Sequence, residues 1–261
     1  MKIISWNVNS VRIRLEAVQN LLISEKPDLL LLQETKVTDV SFPYAAIRSL
    51  GYKHIICKGG QSYNGVCIIS KIEPESIISL DFVNNDKRHI AAVYNGIEVH
   101  NFYVPAGGEI PDPAINKKFA CKLAYWDEML EWFKMNRSQD QKIILAGDLN
   151  VAPYEHDVWS SKQLRNEVSH TDIERQLMLR NMQDFNWVDC FRHFTKMSEK
   201  LYSWWSYRNL DWQKSNRGRR LDHIWATMSL KESLQYSNIL KATRSLDRPS
   251  DHVPIIIKLS I

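Results

Sequence analysis

The sequence predicts an α/β fold, a mixed sheet or pair of sheets flanked by helices, on three observations. Leu29–Leu32 and Ile143–Ala146 are unbroken runs of apolar residues, as in strands buried on both faces. Two strand-like runs, 91–94 and 97–104, flank Asn95-Gly96, a dipeptide that closes tight hairpins. Phe119, Leu123, Trp126, Leu130 and Phe133 recur at spacings of four, three, four and three, the apolar stripe of a core-facing helix over 114–136. Hairpins beside strand–helix–strand units imply mixed sheets.

Taken in order, residues 2–8 read as a first strand. Asn9 or Ser10 is a candidate cap for a helix that buries Val11, Leu15, Val18 and Leu22 and stops at Pro27. The strand Leu29–Leu32 runs out into Gln33-Glu34-Thr35-Lys36. Residues 52–58, 65–70 and 76–83 read as shorter strands. After the hairpin, Pro105 and Gly107-Gly108 end the second strand, and 109–113, with two prolines, is a loop. The long helix leads to a strand over 142–147. Residues 154–170 read as irregular. A helix over 171–184, capped by Thr171 or Asp172, has Ile173, Leu177 and Met178 facing inward. A short apolar segment at 187–191 precedes a basic-aromatic loop, and further strands begin at Leu221 and run over 253–259.

The 261 residues, 44% apolar and 25% charged, suit a water-soluble chain with a large core. With no linker, repeat or low-complexity tract, a single domain over 1–261 is expected. The longest apolar runs are far shorter than a membrane span, and the start has no leader anatomy, so a cytoplasmic location is expected. Cys57, Cys67, Cys121 and Cys190 show no metal-ligand spacing and read as free buried thiols. The net charge of +4 names no partner. Its distribution is more telling: residues 192–220 carry eight Lys or Arg against two acids, interleaved with Tyr202, Trp204, Trp205, Tyr207 and Trp212. Cations match phosphates and aromatic faces stack on bases or sugars, which favours nucleic acid over a solvated loop with a few core aromatics.

The chemistry is carried by polar groups at strand ends: Asn7, Glu34, Tyr103, Asp148 with Asn150, Asp222, and Asp251 with His252. One carboxylate at a strand end is usually a cap or a surface residue, and Gly147-Asp148-Leu149-Asn150 alone is good turn chemistry. Recurrence changes the balance, because in a mixed sheet the ends of some strands and the starts of others share an edge, where α/β sheets place their ligands. Glu34, Asp148 and Asp251, with the side-chain carbonyls of Asn7 and Asn150, are hard oxygen donors suited to Mg²⁺ or Mn²⁺. His252 can move a proton or hold a phosphate, Asp222 can orient that histidine, and Tyr103 can donate a hydrogen bond. The set describes metal-assisted phosphodiester hydrolysis.

Six segments, in this order, resemble the motifs of the exonuclease III family of apurinic/apyrimidinic endonucleases: Ser5-Trp6-Asn7-Val8-Asn9, Leu32-Gln33-Glu34-Thr35-Lys36, Asn101-Phe102-Tyr103-Val104-Pro105, Ala146-Gly147-Asp148-Leu149-Asn150, Arg220-Leu221-Asp222 and Pro249-Ser250-Asp251-His252-Val253-Pro254. Val188–Arg192 and Tyr202–Arg208 are also similar to that family's segments. The resemblance implies a four-layer α/β sandwich with two facing mixed sheets. It implies cleavage of duplex DNA 5′ to abasic sites to leave a 3′-hydroxyl, with 3′→5′ exonuclease and 3′-end-cleaning activity; a monomer is the default. It implies Glu34 as the main metal ligand beside Asn7, with Asp148, Asn150, Asp251 and His252 as further members of the metal site. It further implies Asp148 at the attacking water, Asn150 at the phosphate, Asp222 and His252 as a dyad, and Tyr103 at the phosphate or leaving group. Asp148 and His252 both qualify as general base.

By the same resemblance Trp204 and Leu221 line a pocket for a base-free sugar, which a flipped-out nucleotide enters only without its base. Arg208, Asn216, Arg217 and Arg219 fall in DNA- or lesion-contacting segments. Arg219 departs from the family pattern, where bacterial relatives commonly carry an apolar residue, and 109–113 is also unusual. The competing enzymatic reading is a lipid or inositol-phosphate phosphodiesterase of the same superfamily. The secreted nucleases and sphingomyelinases of that superfamily usually carry a second catalytic histidine near the position of Tyr103; His100, an odd three residues earlier, points to the other face of the strand.

Overall fold

The computed structural model describes every residue except Asn84, Asn85 and Leu210. The first half of the chain forms β1 (Lys2–Asn7), α1 (Leu15–Glu25), β2 (Leu29–Gln33), α2 (Tyr44–Arg48), β3 (His54–Lys58), β4 (Val66–Ser70), β5 (Ser76–Ile78), β6 (His89–Tyr94), β7 (Ile97–Tyr103) and α3 (Lys117–Asn136). The second half forms β8 (Ile143–Asp148), α4 (Ser161–Leu164), α5 (Asp172–Asp184), β9 (Val188–Asp189), α6 (Cys190–Phe194), β10 (Trp204–Trp205), α7 (Trp212–Ser215), β11 (Gly218–Arg219), β12 (Asp222–Ala226), β13 (Leu234–Ile239) and β14 (Ile255–Leu259).

Two six-stranded mixed sheets result, ordered β13-β14-β1-β2-β4-β3 and β5-β6-β7-β8-β12-β9. Each contains one parallel pair joined through a helix, β1–α1–β2 in the first and β7–α3–β8 in the second. Side-chain alternation divides the apolar residues into layers. Ile3, Leu29 and Leu31 meet Val99, Ile144, Ala146 and Ile224 in the core between the sheets. Ile4, Trp6, Leu30 and Leu32 face outward onto Val18, Leu21 and Leu22 of α1 and Ile47 of α2. Phe102 and Leu145 face Trp126, Met129 and Phe133 of α3 and Met178 and Met182 of α5. The arrangement is the expected four-layer sandwich. Within its central layer Gln33 Nε2 donates to Ser5 Oγ and Asn101 Oδ1 at 3.0 and 2.7 Å, while Gln33 Oε1 is left without a partner.

Several local expectations are corrected. Asn9 and Ser10 do not cap α1; both take left-handed backbone (φ 44° and 93°), and the helix starts at Leu15. The strand expected over 76–83 ends at Ile78. The expected irregular stretch contains α4, and β13 carried no recognised signal. In α5, Thr171 and Glu174 form a capping box that turns Glu174 inward and leaves Ile173 44% exposed. Gly147 is a strand residue, not the turn: at φ +143°, a Cβ there would lie 1.9 Å from Phe102 O on the neighbouring strand. The left-handed turn comes at Asn150, φ 54°. The basic-aromatic stretch is folded into β10, α7 and β11, with Tyr202 and Trp205 buried in the core. No disulfide links the four cysteines; Cys67 and Cys190 are buried as expected, whereas Cys57 and Cys121 are only half-buried, and Cys57 opposes Cys67 across β3 and β4.

Candidate active site

Strand register lines up the site. The parallel β7–β8 pairing sets Tyr103 beside Asp148, and the antiparallel β8–β12 pairing sets Asp148 beside Asp222. Tyr103, Asp148 and Asp222 thus form one row across the end of the second sheet. In the first sheet Asn7 pairs with Gln33, one residue before Glu34. Asn7 shares a face with Ile3, Tyr103 with Val99, Asp148 with Ile144 and Asp222 with Ile224, all facing the space between the sheets. His100, on the opposite face of β7, stacks among Phe102, Trp132 and Phe133.

Hydrogen bonds join these groups into one network. Asn7 Nδ2 donates to Glu34 Oε1 at 2.9 Å and to Asp148 Oδ2 at 2.8 Å, bridging the two sheets. Asn150 donates its backbone N–H to Asp148 Oδ1 and its side-chain amide to Asp148 Oδ2 and Val104 O. His252 Nδ1 lies 2.8 Å from Asp222 Oδ2, while its Nε2 lies 3.7 Å from Asp148 Oδ2. Ser203 Oγ donates to the same Asp222 oxygen and accepts from the backbone N–H groups of Leu221 and Asp222. Lys36 Nζ lies 2.9 Å from Glu34 Oε2 and also donates to Asn9 Oδ1. Ser250 Oγ, donating to Asn7 O, ties the last loop to β1.

The electrostatics follow from burial and neighbours. Burial raises the Asp148 carboxyl to about 7; His252 opposes the shift, while Asp222 and Glu34 add to it. Burial alone would depress His252, but Asp222 and then Asp148 overcome it and raise the imidazolium to about 10. Burial pushes Glu34 up, and Asn7, Lys36 and His252 outweigh it, leaving its carboxyl lowered. The Tyr103 phenol is held well up by burial and the charges of Glu34 and Asp148. The Arg88 guanidinium sits 4.6 Å from the Tyr103 ring centroid. The site therefore sets a carboxyl raised by burial beside an imidazole whose charged form is favoured by its carboxylate neighbours and a phenol held neutral.

The description "Endonuclease/Exonuclease/phosphatase family" fits residues 4–252 of the chain. The chain belongs to that family. It is 31% identical over 269 residues to an exodeoxyribonuclease of Bacillus subtilis and 29% identical over 267 residues to exodeoxyribonuclease III of Haemophilus influenzae, covering 100% and 98% of each pair. Among solved structures it is similar to a 3′ phosphatase from Neisseria bound to a product DNA hairpin (TM-score 0.91) and to an AP endonuclease from Archaeoglobus fulgidus (TM-score 0.92). Each is 32% identical and covered in full, as is this chain.

Members of the endonuclease/exonuclease/phosphatase family are metal-dependent, and the donor chemistry here suits a hard divalent cation. Glu34 and Asp148 present carboxylate oxygens on either side of one Asn7 amide and retain free lone pairs. Lys36 supplies positive charge at Glu34. Asp148, Asp222 and His252 also offer donor atoms within 4.8 Å of one another. Within that trio His252 Nδ1 is already engaged by Asp222 Oδ2 at 2.8 Å. Asn7 turns its amide nitrogen, not its carbonyl, to the carboxylates, with Oδ1 accepting from Asn9 N. Asp251 is turned to Trp204 and Asn9: Oδ2 accepts from Trp204 Nε1 at 2.9 Å and Oδ1 from Asn9 Nδ2 at 3.1 Å.

The residues expected to line a sugar pocket in this endonuclease/exonuclease/phosphatase chain also gather. Trp204 and Leu221 join Ala152, Val158 and Leu164 in one small apolar cluster. Arg219 is not a free rim cation. Its guanidinium donates to Val168 O at 2.7 Å and Ser169 Oγ at 2.6 Å and lies 5.5 Å from the Trp204 ring centroid. Arg217 stacks over Trp159, Asn216 accepts from Trp205 Nε1, and Arg208 is exposed beyond them. Sequence reasoning missed Ser203, Asn9, Lys36 and Arg88 as parts of the network. The first three lie inside the motif segments quoted above, which was the available signal; Arg88 had none.

Proposed function

We propose that the chain is a divalent-cation-dependent phosphodiesterase of DNA repair. It cuts the duplex backbone 5′ to abasic sites, leaves a 3′-hydroxyl, and trims 3′ termini and blocked 3′ ends. The observation that carries the reading is the series Asp222–His252–Asp148, closed onto Glu34 through Asn7. Glu34, with Asn7 and Asp148 beside it, would hold Mg²⁺ or Mn²⁺, which supplies charge neutralisation at a phosphoryl and a leaving oxygen. Asp148 takes the proton of the attacking water, steadied by the two donors of Asn150. His252, held cationic and oriented by Asp222, contacts a phosphate oxygen. Tyr103 donates from the opposite side of the row. We read Asp148 as the base because His252 lies between two carboxylates, Asp222 and Asp148, that favour its charged form. Trp204 and Leu221 accept the base-free sugar.

The relatives named for exodeoxyribonuclease and AP endonuclease activity support DNA as substrate over a lipid or inositol phosphate. We read residues 1–261 as one catalytic domain acting as a monomer, because both sheets contribute to the site. The test is a labelled duplex with one abasic analogue. A single nick 5′ to the lesion, abolished by chelation and restored by Mg²⁺ or Mn²⁺, is expected. Equal cutting of intact duplex, or none of either, would overturn the abasic-specific reading. A duplex ending in a 3′-phosphate reports the end-trimming activity separately.

A further inference from the structure

Lys122 of α3 is wholly buried, and its ammonium has three N–H donors to satisfy. It donates to Glu174, to Asn150 O at 2.8 Å and to Ala106 O at 3.3 Å. No donor is left over, and each acceptor belongs to a different part of the active-site frame. Asn150 is the left-handed turn whose N–H and side chain hold Asp148. Ala106 lies in the loop that leaves Tyr103, and the next residue, Gly107 (φ +92°), rests against the Lys122 stem. Glu174 continues the connection. Its oxygens accept from Ser169 N, Thr171 N and Thr171 Oγ1, fixing the 169–171 turn that receives Arg219, the cation lying over Trp204.

We propose that Lys122 and Glu174 are positioning residues for cleavage, a buried joint that sets the Asp148–Asn150 turn relative to the wall carrying Trp204. The inference rests on the phosphodiesterase reading of that site. Removing the ammonium would strand Asn150 O without a donor. An unpaired buried carbonyl is costly, so the 150–151 peptide would rotate toward water and shift the Asn150 Cα, and with it the neighbouring N–H and side-chain amide that hold Asp148. Net stability is a poor account of such a pair, because buried ion pairs can often be replaced by uncharged groups without loss, whereas breaking one leaves a stranded charge. Geometry and stability are therefore separable.

The test compares wild type, Glu174→Gln and the double variant Lys122→Met/Glu174→Gln on the abasic duplex. Glutamine keeps an acceptor for Ser169 and Thr171, and the double variant leaves no unpaired charge. Expected is a fall in kcat of about 10²-fold in the double variant, with a smaller fall for Glu174→Gln and KM within about threefold. Thermal midpoints are measured alongside, and activities are compared well below them. A double variant with wild-type kcat, or one that raises KM alone, overturns the proposal while leaving the function standing. If the double variant does not fold, Glu174→Gln decides: unchanged kcat and unchanged preference for abasic over intact duplex overturns it. A wild-type chain that cuts no duplex overturns the functional reading and this inference together.

Discussion

The imidazole of His252 hydrogen-bonds through Nδ1 to Asp222 Oδ2 at 2.8 Å, and this fixes which ring nitrogen faces the cleft. A carboxylate at Nδ1 holds the N–H on that side and favours the charged ring. Asp222→Asn would keep the shape but present an amide able to donate to the ring, reversing its tautomer. Cleavage is expected to slow by about 10²–10⁴-fold with the fold intact, and His252→Ala by a comparable factor. Single-turnover kinetics with circular dichroism checks this; losses under about tenfold for both would remove the dyad from the mechanism.

Gly147→Ala tests the backbone beneath Asp148. The added methyl would meet Phe102 O at 1.9 Å, at a φ of +143° that side chains rarely adopt. A loss of more than about 2 kcal/mol in urea unfolding is expected, with cleavage impaired because β8 must move away from β7. Unchanged stability would mean that the strands separate there without cost.

Trp204 and Arg219 should act on selectivity before chemistry. Trp204→Ala opens the apolar wall, and Arg219→Ala removes the group that holds the ring against the 168–169 carbonyl and hydroxyl. Both are expected to narrow the ratio of abasic to intact duplex cleavage more than they lower the abasic rate. Competition assays with both duplexes in one tube measure this, and an unaltered ratio in the Trp204 variant counts against the pocket.

Acid should weaken the fold through His89 and His100. Leu80 N donates to His89 Nδ1, so His89 Nε2 carries the proton and donates to His100 Nδ1, whose Nε2 then donates to Glu98. Burial, then His100 and Lys58, depress His89; burial depresses His100 despite Glu98. Both stay neutral in the fold, while the unfolded chain protonates them near pH 6.5. The unfolded state then binds more protons, so their contribution is full above about pH 6.5 and is lost as pH falls below it. Urea unfolding between pH 7.5 and 5.5 should show a shallower slope for His89→Leu/His100→Leu, by at most about 1.4 kcal/mol per pH unit for each histidine. Equal slopes would exclude the pair as the acid-sensitive element.

Much of the site is legible in the chain because its groups follow short apolar strands, and register does the rest. Tyr103, Asp148 and Asp222 each end or begin a strand, so pairing alone brings them into a row. Asn95-Gly96 likewise declares its hairpin, with both residues at positive φ. What stays hidden depends on contacts that no local pattern encodes. Glu174 is polar and sits beside Ile173, so helical periodicity assigns the inward position to the wrong neighbour. Lys122 looks like one more surface lysine on α3 until its distant acceptors are known. Arg219 reads as a cation for phosphate, although its partners are a carbonyl and a hydroxyl of the preceding loop.

β1 lies between β2 and β14, and the seam is closed by Trp6 Nε1 on His252 O and Ser250 Oγ on Asn7 O, contacts spanning 246 and 243 residues of chain. Such closure is slow because distant segments must meet before they stabilise each other. The same closure brings His252 opposite Asp148 and pairs the edge of β1, so parting the β1–β14 seam is expected to disperse the site and open the first sheet together.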